Sequence, residues 1–305
     1  MKTSADAQVG RVAVNFSKQC LVETAAGELI RCHVPRMLQR PVCGDWVHWE
    51  HASSGRSDGV VTAILPRHSV LMRQDERLNQ RVLAANIDHL LLVLAARPEP
   101  ELALIDRYLV AAELLKLKTS LIFNKSDLLD ARSRQDWQTR LAVYEQLGYS
   151  LHFTSIKSDP QMSGVRTALR GQTGIVVGQS GVGKSSLIAT LVPDLQLRTQ
   201  RLSEASGKGQ HTTTATRLYR VPEIDACIID SPGVRDFRLW PLKPEELVIG
   251  FKEFRETPGN CRFSDCRHLV EPGCAIRARV EHGEIAAQRY ASYCQLMEWM
   301  RENRT

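Results

Sequence analysis

Hydrophobic and polar residues alternate with a period of two along much of residues 9–73, and glycines separate the alternating runs. The runs at residues 10–14, 27–34 and 45–49 show this most clearly. Successive side chains of a strand point to opposite faces, so the pattern predicts short strands with one buried face. We therefore predict a small β-barrel or sandwich over residues 1–72.

From residue 87 the pattern changes, because apolar runs then alternate with stretches of helical periodicity. This alternation is typical of an α/β sheet, whose functional sites lie at the carboxyl ends of the strands. We predict such a domain over residues 73–240. Its strands are expected at residues 87–96, 121–123, 151–153, 174–177, 217–221 and 227–229, and its helices at 102–117, 137–147 and 186–191.

The region after Pro241 has no strand pattern. An amphipathic helix is predicted at residues 244–256, followed by a loop rich in Cys and His and by a long helix from about residue 284 to 302. The expected fold class is therefore multidomain, with an N-terminal β-barrel, a central α/β domain and a C-terminal α-helical domain over residues 241–305.

Composition fits a globular protein, with 43% hydrophobic and 24% charged residues. No basic start with an apolar run of signal length is visible, and the apolar stretch Leu90–Ala96 is far too short to span a membrane. We expect a soluble, cytoplasmic monomer with no membrane partner. The formal charge of +6 is compatible with a nucleic-acid partner but does not require one.

A phosphate-binding loop is predicted at Gly178–Ser185, which matches the spacing Gly-x4-Gly-Lys-Ser between an apolar strand and a helix. Its glycines let backbone N–H groups approach phosphates without a Cβ in the way. Lys184 is expected to bridge the outer phosphates, and Ser185 to ligate Mg²⁺. The alternative, a glycine-rich turn that fits by accident, does not account for the flanking strand and helix.

A second motif, Asn124–Asp127, follows the strand at 121–123 and points to a guanine base. A carboxylate such as that of Asp127 accepts two hydrogen bonds from the N1 and N2 groups of guanine, a pair that adenine does not offer. The stem of Lys125 would cover the base, and Asn124 would tie the loop together. Thr154 and Ser155 are the candidate supporting loop, although a plain polar turn fits that dipeptide nearly as well.

Two further segments have the composition of GTPase switches. Asp230-Ser-Pro-Gly233 follows a strand, so that Asp230 can reach Mg²⁺ through water and the Gly233 N–H can sense the γ-phosphate. The polar segment 207–214 is a candidate first switch, with Thr214 placed to complete the Mg²⁺ shell. An ordinary loop without a ligand is the competing interpretation of the latter.

The order of these motifs is unusual, because the base motif precedes the phosphate loop and the switches. GTPases ordinarily present the phosphate loop first, so this chain is circularly permuted. Its second switch leads directly into residues 241–305, and we expect nucleotide-dependent changes there to reach the C-terminal domain.

Hydrolysis is expected to be slow without a partner. Val234 stands after Gly233, where many GTPases place a Gln that orients the attacking water. His211 is the nearest candidate for that catalytic role, and a loop His that contacts a partner or solvent is the alternative.

Cys261, Cys266, His268 and Cys274 form a compact set of metal ligands with the spacing Cys-x4-Cys-x-His-x5-Cys. Three thiolates and one imidazole suit a closed tetrahedral Zn²⁺ site, which leaves no open position and is therefore structural. Reduced cysteines without a metal are the competing interpretation.

Together these motifs closely resemble the RsgA (YjeQ) family of bacterial circularly permuted GTPases, over essentially the whole chain. The resemblance implies an N-terminal OB-fold, a central GTPase and a C-terminal zinc domain. It also implies action in late maturation of the small ribosomal subunit, with rRNA contact and GTP hydrolysis stimulated by that subunit. Ile156 departs from the family, which more often has Ala there.

The predicted ligands are thus GTP or GDP with Mg²⁺, and one structural Zn²⁺. The candidate GTP-binding residues are Asn124, Lys125, Ser126, Asp127, Thr154, Ser155, Gly178, Gln179, Ser180, Gly181, Val182, Gly183, Lys184, Ser185, Ser186, Asp230 and Gly233. Two other classes remain open, namely a nucleotide-gated binding module in which hydrolysis is incidental and an ATP-dependent enzyme, with which Asp127 conflicts.

Overall fold

The N-terminal strands close into a five-stranded β-barrel. A computed structural model describes residues 7–16, 18–52, 58–74, 79–192, 195, 216–231, 237, 239–257 and 260–302. The sheet order is β1-β2-β3-β5-β4, and a direct β1–β4 pairing completes the ring. These strands are β1 (Gln8–Asn15), β2 (Gln19–Glu23), β3 (Leu29–His33), β4 (Trp46–His51) and β5 (Gly59–Ile64).

The period-two pattern explains the barrel interior. Alternate residues such as Val12, Val47 and Val61 are fully buried there, around the indole of Trp49. Gly59 lies opposite that indole, where a Cβ would come within 2.9 Å of both the Trp49 ring and the Cys32 sulfur. The predicted β-barrel is therefore confirmed, and its core is separate from that of the central sheet.

A mostly parallel sheet forms the centre of the molecule, in the order β10-β9-β8-β11-β13-β12. Only β12 runs antiparallel to its neighbour β13, and it also pairs with β1 at Val14–Arg217, which joins the barrel to this sheet. The strands are β8 (His89–Leu94), β9 (Lys118–Phe123), β10 (Ser150–Phe153), β11 (Thr173–Val177), β12 (Arg217–Val221) and β13 (Ala226–Asp230).

A separate two-stranded hairpin, β6 (Val70–Gln74) with β7 (Gln80–Ala85), connects the barrel to β8. The predicted division at residues 72/73 lies within β6, and the division into domains stays a prediction. Strands β8 and β11, in the middle of the parallel part of the central sheet, are buried at every position, because helices cover both faces.

Seven α-helices lie in the described part of the chain, together with three short 3₁₀ turns. No helix within that part is long and apolar enough to cross a bilayer. The helices are α1 (Leu102–Leu114), α2 (Ala131–Gln146), α3 (Ser163–Leu169), α4 (Lys184–Leu191), α5 (Pro244–Gly250), α6 (Ala275–Glu281) and α7 (Ala287–Glu302).

The helix predicted at residues 244–256 is shorter in the structure. It ends at Gly250, and Phe251 takes an extended backbone before a 3₁₀ turn at Lys252–Phe254. Gly250 lies so close to α1 that an added Cβ would be 2.6 Å from Cγ1 of Val110. Close packing against α1 therefore accompanies the end of this helix, a contact that periodicity along the chain does not encode.

The C-terminal helices pack on α1, which contacts both α5 and α7. At the centre of this contact the Arg289 side chain is completely buried. Its guanidinium binds Glu253 through two hydrogen bonds of 2.7 and 3.0 Å and Asp106 of α1 at 2.5 Å. The Tyr144 hydroxyl also donates to Asp106, at 3.0 Å.

Burial acts to lower the pKa of Arg289, but the two carboxylates outweigh it and raise that pKa above its usual value. The guanidinium is therefore charged, and it is stacked 4.6 Å from the Phe251 ring centroid. A buried ion pair of this kind is strongly destabilised when one partner is removed, because the other charge is left without compensation.

Replacing Arg289 with Met should therefore lower the free energy of unfolding by about 3–5 kcal/mol, measured by urea denaturation. Arg301→Met, in the same helix but at an exposed position, is the matched control and should change it by less than about 0.5 kcal/mol. Equal effects of the two substitutions would contradict a role for the buried network.

Candidate functional site: a nucleotide pocket and a metal cluster

The predicted nucleotide motifs all follow the carboxyl ends of neighbouring parallel strands. Asn124 follows β9, Thr154 follows β10, Gly178 follows β11, and Asp230 is the last residue of β13. Because these strands are adjacent and parallel, their carboxyl ends meet along one edge of the sheet. The fold therefore brings together segments that lie more than a hundred residues apart in the chain.

The phosphate loop runs from β11 to α4, and its backbone needs glycine. Gly178, Gly181 and Gly183 have φ values of 135°, 83° and 97°, a region that other residues rarely adopt. A Cβ on Gly178 would come within 2.2 Å of the Val93 carbonyl oxygen. The Lys184 ammonium donates to the carbonyl oxygens of Gly178 and Gln179 at 2.8 and 2.6 Å.

These features fit a nucleotide phosphate. The glycines leave space in the loop that side chains would otherwise occupy, and the Lys184 ammonium lies inside it. The amino terminus of α4 also faces this space. Ser185 and Ser186 are exposed in the first turn of α4, where the hydroxyl of Ser185 is accessible to a cation bound beside phosphate. Mg²⁺ would supply charge neutralisation of the phosphate oxygens when bound.

Two side chains of the base motif hold it against the phosphate loop. Asn124 Nδ2 donates to the Val182 carbonyl at 3.0 Å, and Lys125 Nζ donates to the Gly181 carbonyl at 2.6 Å. Asn124 is buried, and a Cβ on Gly183 would lie 2.3 Å from its amide nitrogen. The two motifs are therefore joined directly by side-chain hydrogen bonds.

Asp127 is fixed by the loop that follows β10. Its Oδ1 accepts a 2.6 Å hydrogen bond from the Ser155 hydroxyl, and this bond holds the pKa of the Asp127 carboxyl below its usual range. The Ser126 N–H donates to the Thr154 carbonyl at 3.1 Å. The structure thus places Thr154 and Ser155 against the base motif, while Ile156 packs at the edge of the neighbouring core.

Lys157 belongs to the same cluster and was missed by sequence reasoning. Its Nζ lies 3.4 Å from Asp127 Oδ2, and it adds to the lowering of the Asp127 pKa that the Ser155 hydrogen bond produces. The lysine lies in a polar surface segment, thirty residues from Asp127. No local pattern distinguishes it from a solvated charge.

Asp230 stands on the other side of the phosphate loop. Burial raises the pKa of its carboxyl, and the charges of Lys184 and Arg217 oppose that shift. Ser231 is buried beside it, and its hydroxyl has no hydrogen-bond partner within the described ranges. A partly buried carboxylate near the loop lysine suits a Mg²⁺ ligand that acts through water. The other switch candidates, His211, Thr214 and Gly233, lie outside the described residues.

The four predicted metal ligands come together in the segment that precedes α6, and Cys274 is the N-cap residue of that helix. The ligand atoms of Cys261, Cys266, His268 and Cys274 all lie within 4.8 Å of one another. His268 Nδ1 is 3.5 Å from the Cys261 sulfur and 3.4 Å from the Cys274 sulfur. Bonds of ordinary length in a tetrahedral zinc site give an S···N separation of about 3.5 Å, so the cluster could hold Zn²⁺.

Neighbouring side chains fix the loop that carries these ligands. Tyr290 donates to the His268 carbonyl at 2.7 Å, and Tyr293 donates to the Arg267 carbonyl at 2.8 Å. The Glu271 carboxylate accepts from the backbone N–H groups of Arg267, Leu269 and Val270. Both tyrosines belong to α7, so the loop and the Arg289 network share one helix.

The chain is similar in sequence to a family of known GTPases. A family model described as RsgA GTPase matches residues 64–240. The chain is 43% identical to Small ribosomal subunit biogenesis GTPase RsgA of Actinobacillus pleuropneumoniae serotype 5b (strain L20), over 96% of this chain and 86% of that protein. RsgA 1 of Vibrio vulnificus (strain YJ016) is also 43% identical, over 98% of this chain and 86% of that protein.

Two solved structures have the same fold. YjeQ from Thermotoga maritima superposes with a TM-score of 0.78 at 30% identity, covering 98% of this chain and all of that one. YloQ, described as a circularly permuted GTPase, superposes with a TM-score of 0.75 at 24% identity, covering 100% and 99% of the two chains.

The fold and the order of its motifs define a circularly permuted P-loop GTPase, an enzyme that hydrolyses GTP. Within that class, the chain belongs to the RsgA GTPase family.

Asp127→Asn should weaken GTP binding by roughly 100-fold or more, because two charge-assisted hydrogen bonds to guanine are lost. The Asn amide can accept from xanthine N1–H and donate to xanthine O2, so xanthosine triphosphate should bind more tightly to this variant than GTP. Competition against a fluorescent guanine nucleotide measures both affinities.

Asp130→Asn is the matched control for that substitution. Asp130 lies three residues away and caps α2 through a 2.7 Å hydrogen bond from the Ser133 N–H. Asn is an equally good cap, so nucleotide selectivity should not change. Retained guanine preference in the Asp127→Asn variant would contradict the assignment of the base pocket.

Cys274→Ser should lower the zinc content of the purified protein from about one equivalent per chain to less than about a tenth. Elemental analysis measures the content, and Cys294→Ala, outside the ligand cluster on α7, should retain the metal. A full equivalent of zinc in the Cys274→Ser protein would show that the metal is held elsewhere.

Proposed function

We propose that the chain binds the small ribosomal subunit, acts in its late maturation and hydrolyses GTP to GDP and phosphate faster on the subunit than in solution. The relatives that match nearly the whole chain are named small ribosomal subunit biogenesis GTPases. The observation that carries the proposal is that the base motif is hydrogen-bonded to the phosphate loop in a domain on which C-terminal helices pack.

In this proposal the residues of the nucleotide edge have separate tasks. Asp127 selects guanine, and the phosphate-loop N–H groups with Lys184 hold the phosphates. Ser185 and Thr214 ligate Mg²⁺, Asp230 reaches it through water, and the Gly233 N–H senses the γ-phosphate. The remaining candidates, from Thr154–Ser155 and Gln179–Ser186, shape the pocket around the base and phosphates.

Val234 supports slow hydrolysis by the chain alone, because an aliphatic side chain cannot orient water. We assign that orientation to His211 when the subunit is bound. The subunit would therefore control the lifetime of the GTP-bound state. GTP hydrolysis would in turn set how long the protein stays bound to RNA.

Contact with rRNA is proposed for the barrel. The connection between β3 and β4 presents Arg36 and Arg40 to solvent around Met37, whose side chain is 99% exposed. Arg67 is less suited, because its Nε and one terminal nitrogen of its guanidinium donate to the Asp45 carboxylate, each at 2.7 Å. Barrels of this size commonly bind RNA through exposed loops and basic side chains.

The three proposed domains would then have separate roles: residues 1–72 in RNA contact, 73–240 in GTP hydrolysis, and 241–305 as a zinc-held element that responds to the nucleotide. Phe237 supports such a response. It lies seven residues after Asp230, is fully buried, and stacks on Tyr108 of α1 with ring centroids 4.4 Å apart. We place the protein in the cytoplasm as a monomer when it is not on the subunit.

Purified small subunits should raise the GTP turnover of the protein by more than about tenfold, measured as phosphate release. Lys184→Ala should abolish turnover with or without subunits. His211→Ala should bind subunits normally but lose most of the stimulated rate, by roughly 100-fold.

Large subunits at equal concentration are the control for nonspecific RNA effects. Equal rates with and without small subunits would refute the stimulated GTPase. Normal stimulation in the His211→Ala protein would refute only the catalytic role of that residue.

A further inference from the structure

A cavity of about 540 Å³ opens where the barrel meets the central sheet. Strands β1 and β4 of the barrel form one wall, with Val9, Arg11 and Trp46. Strands β12 and β13 of the central sheet form another wall, with Arg220 and Cys227. The described lining of this junction cavity contains none of the nucleotide motifs. Ligand sites are often found between domains, and this volume is within the range that they occupy.

Strand pairing places the polar side chains of the junction cavity on common faces. Arg11 of β1 lies directly opposite Trp46 of β4 and, across the other edge of β1, directly opposite Glu23 of β2. Directly paired residues of antiparallel strands project from the same face, with Cβ atoms about 5 Å apart. By the same rule Arg220 and Cys227 share one face of β12 and β13.

Direct contacts bring the two walls together. Arg220 Nε lies 3.9 Å from Glu23 Oε1, and its Nη1 donates to the Ala25 carbonyl at 3.3 Å. Burial raises the pKa of the Cys227 thiol, and the neighbouring Arg11 guanidinium opposes that shift. The barrel row and the β12–β13 row therefore meet at the base of the junction cavity.

Arg11 and Trp46 form a stacked pair, with the guanidinium carbon 5.1 Å from the indole centroid. Arg11 is held there by hydrogen bonds from Nε to the Gly44 carbonyl at 3.3 Å and from Nη2 to the Asn86 carbonyl at 3.0 Å. Trp46 is nevertheless 41% exposed, and Val9, two residues before Arg11 on the same face, is 48% exposed. An accessible indole beside a fixed guanidinium is a surface on which planar rings stack.

The charges around the junction cavity are balanced. His68 Nε2 lies 3.1 Å from Asp88 Oδ1, and Asp88 Oδ2 accepts from the Thr173 N–H at 2.8 Å. A lining with both signs of charge does not concentrate a phosphate group, whereas the donors and acceptors on the edge of a heterocycle can pair with both kinds of group. The charged residues of the described lining, apart from His68, are Arg11, Arg220, Glu23, Asp88 and Asp225.

We propose that the junction cavity binds a nucleobase, which stacks on the Arg11–Trp46 pair and presents its polar edge to the charged groups of the lining. The base can belong to an unpaired nucleotide of RNA or to a free nucleotide. The site goes beyond GTP hydrolysis, because a base held there contacts both the barrel and β12, the strand that follows the predicted first switch.

The free-ligand test adds adenosine monophosphate to full-length protein saturated with GDP and Mg²⁺. Amide NMR signals of Val9 and Cys227, which line the junction cavity, should shift saturably at millimolar concentrations of the nucleotide. Ribose 5-phosphate has the same sugar and phosphate but no base, and it should produce no shift. Equal shifts with the two compounds would contradict a base site.

Trp46→Leu separates ring stacking from simple apolar contact. Leucine suits this partly exposed position, so the fold should be retained, but adenosine monophosphate should bind at least about tenfold more weakly because no ring remains. Trp46→Phe restores a ring and should bind within about threefold of the wild type. Phe263→Leu is the matched control, since Phe263 is also 41% exposed and lies outside the cavity.

The RNA test, which rests on the proposed function, measures binding to small ribosomal subunits as a function of salt. If an rRNA base occupies the junction cavity, Trp46→Leu should lower the affinity by at least about tenfold and leave the slope of log affinity against log salt unchanged, because stacking releases no counterions. Arg36→Gln/Arg40→Gln, on the barrel surface, should instead reduce that slope by about one to two. An effect of Trp46→Leu in either test supports the site and identifies the source of the base.

The proposal is overturned if adenosine monophosphate produces no saturable shift and Trp46→Leu binds small subunits as tightly as the wild type. The outcome is separable from that of the proposed function. Wild-type protein that binds adenosine monophosphate in this cavity but ignores small subunits would refute subunit binding and leave the base site intact.

Discussion

A guanidinium removed from water needs carboxylates around it, and Arg289 meets this need with groups from distant parts of the chain. Glu253 comes from the turn after α5 and Asp106 from α1, 183 residues before the arginine. Because α1 also packs on the strands of the central sheet, this network fixes the C-terminal helices to the GTPase core. The loop that carries the Cys/His cluster depends on the same helix, since Tyr290 and Tyr293 of α7 donate hydrogen bonds to its backbone.

Because of the circular permutation, the segment that follows Asp230 at the nucleotide edge leads to α1 and the C-terminal helices. The chain leaves the nucleotide edge at Asp230 and reaches Phe237, which lies in the core against Tyr108 of α1. Arg107, the preceding residue of α1, donates to the Phe237 carbonyl at 3.4 Å. Helix α1 therefore contacts Phe237, which follows the predicted second switch, and also contributes Asp106 to the Arg289 network. The proposed response of the C-terminal region to the nucleotide rests on this shared helix.

The clustering of the nucleotide motifs at one edge of the sheet, and of Cys261, Cys266, His268 and Cys274, could be predicted from sequence, because each motif combines residue types whose chemistry is specific with spacing set by a single turn or loop. Asn124, Asp127 and Lys184 are local features of this kind, and their roles in nucleotide binding stay predictions. Lys157 and Arg289 could not be predicted in the same way. Their importance arises from partners brought together by the fold, as with Asp106 and Arg289, and no pattern along the chain encodes those contacts.

The central claim is that the nucleotide state reaches the C-terminal region through α1. Hydrogen exchange measured by mass spectrometry, on protein saturated with GDP or with a nonhydrolysable GTP analogue, tests it directly. The account predicts that amide protection differs between the two states in α1 and in residues 241–302, while the barrel strands β2 and β3 stay the same. Identical exchange of α1 and the C-terminal helices in both states, with a clear difference in the phosphate loop, would contradict it.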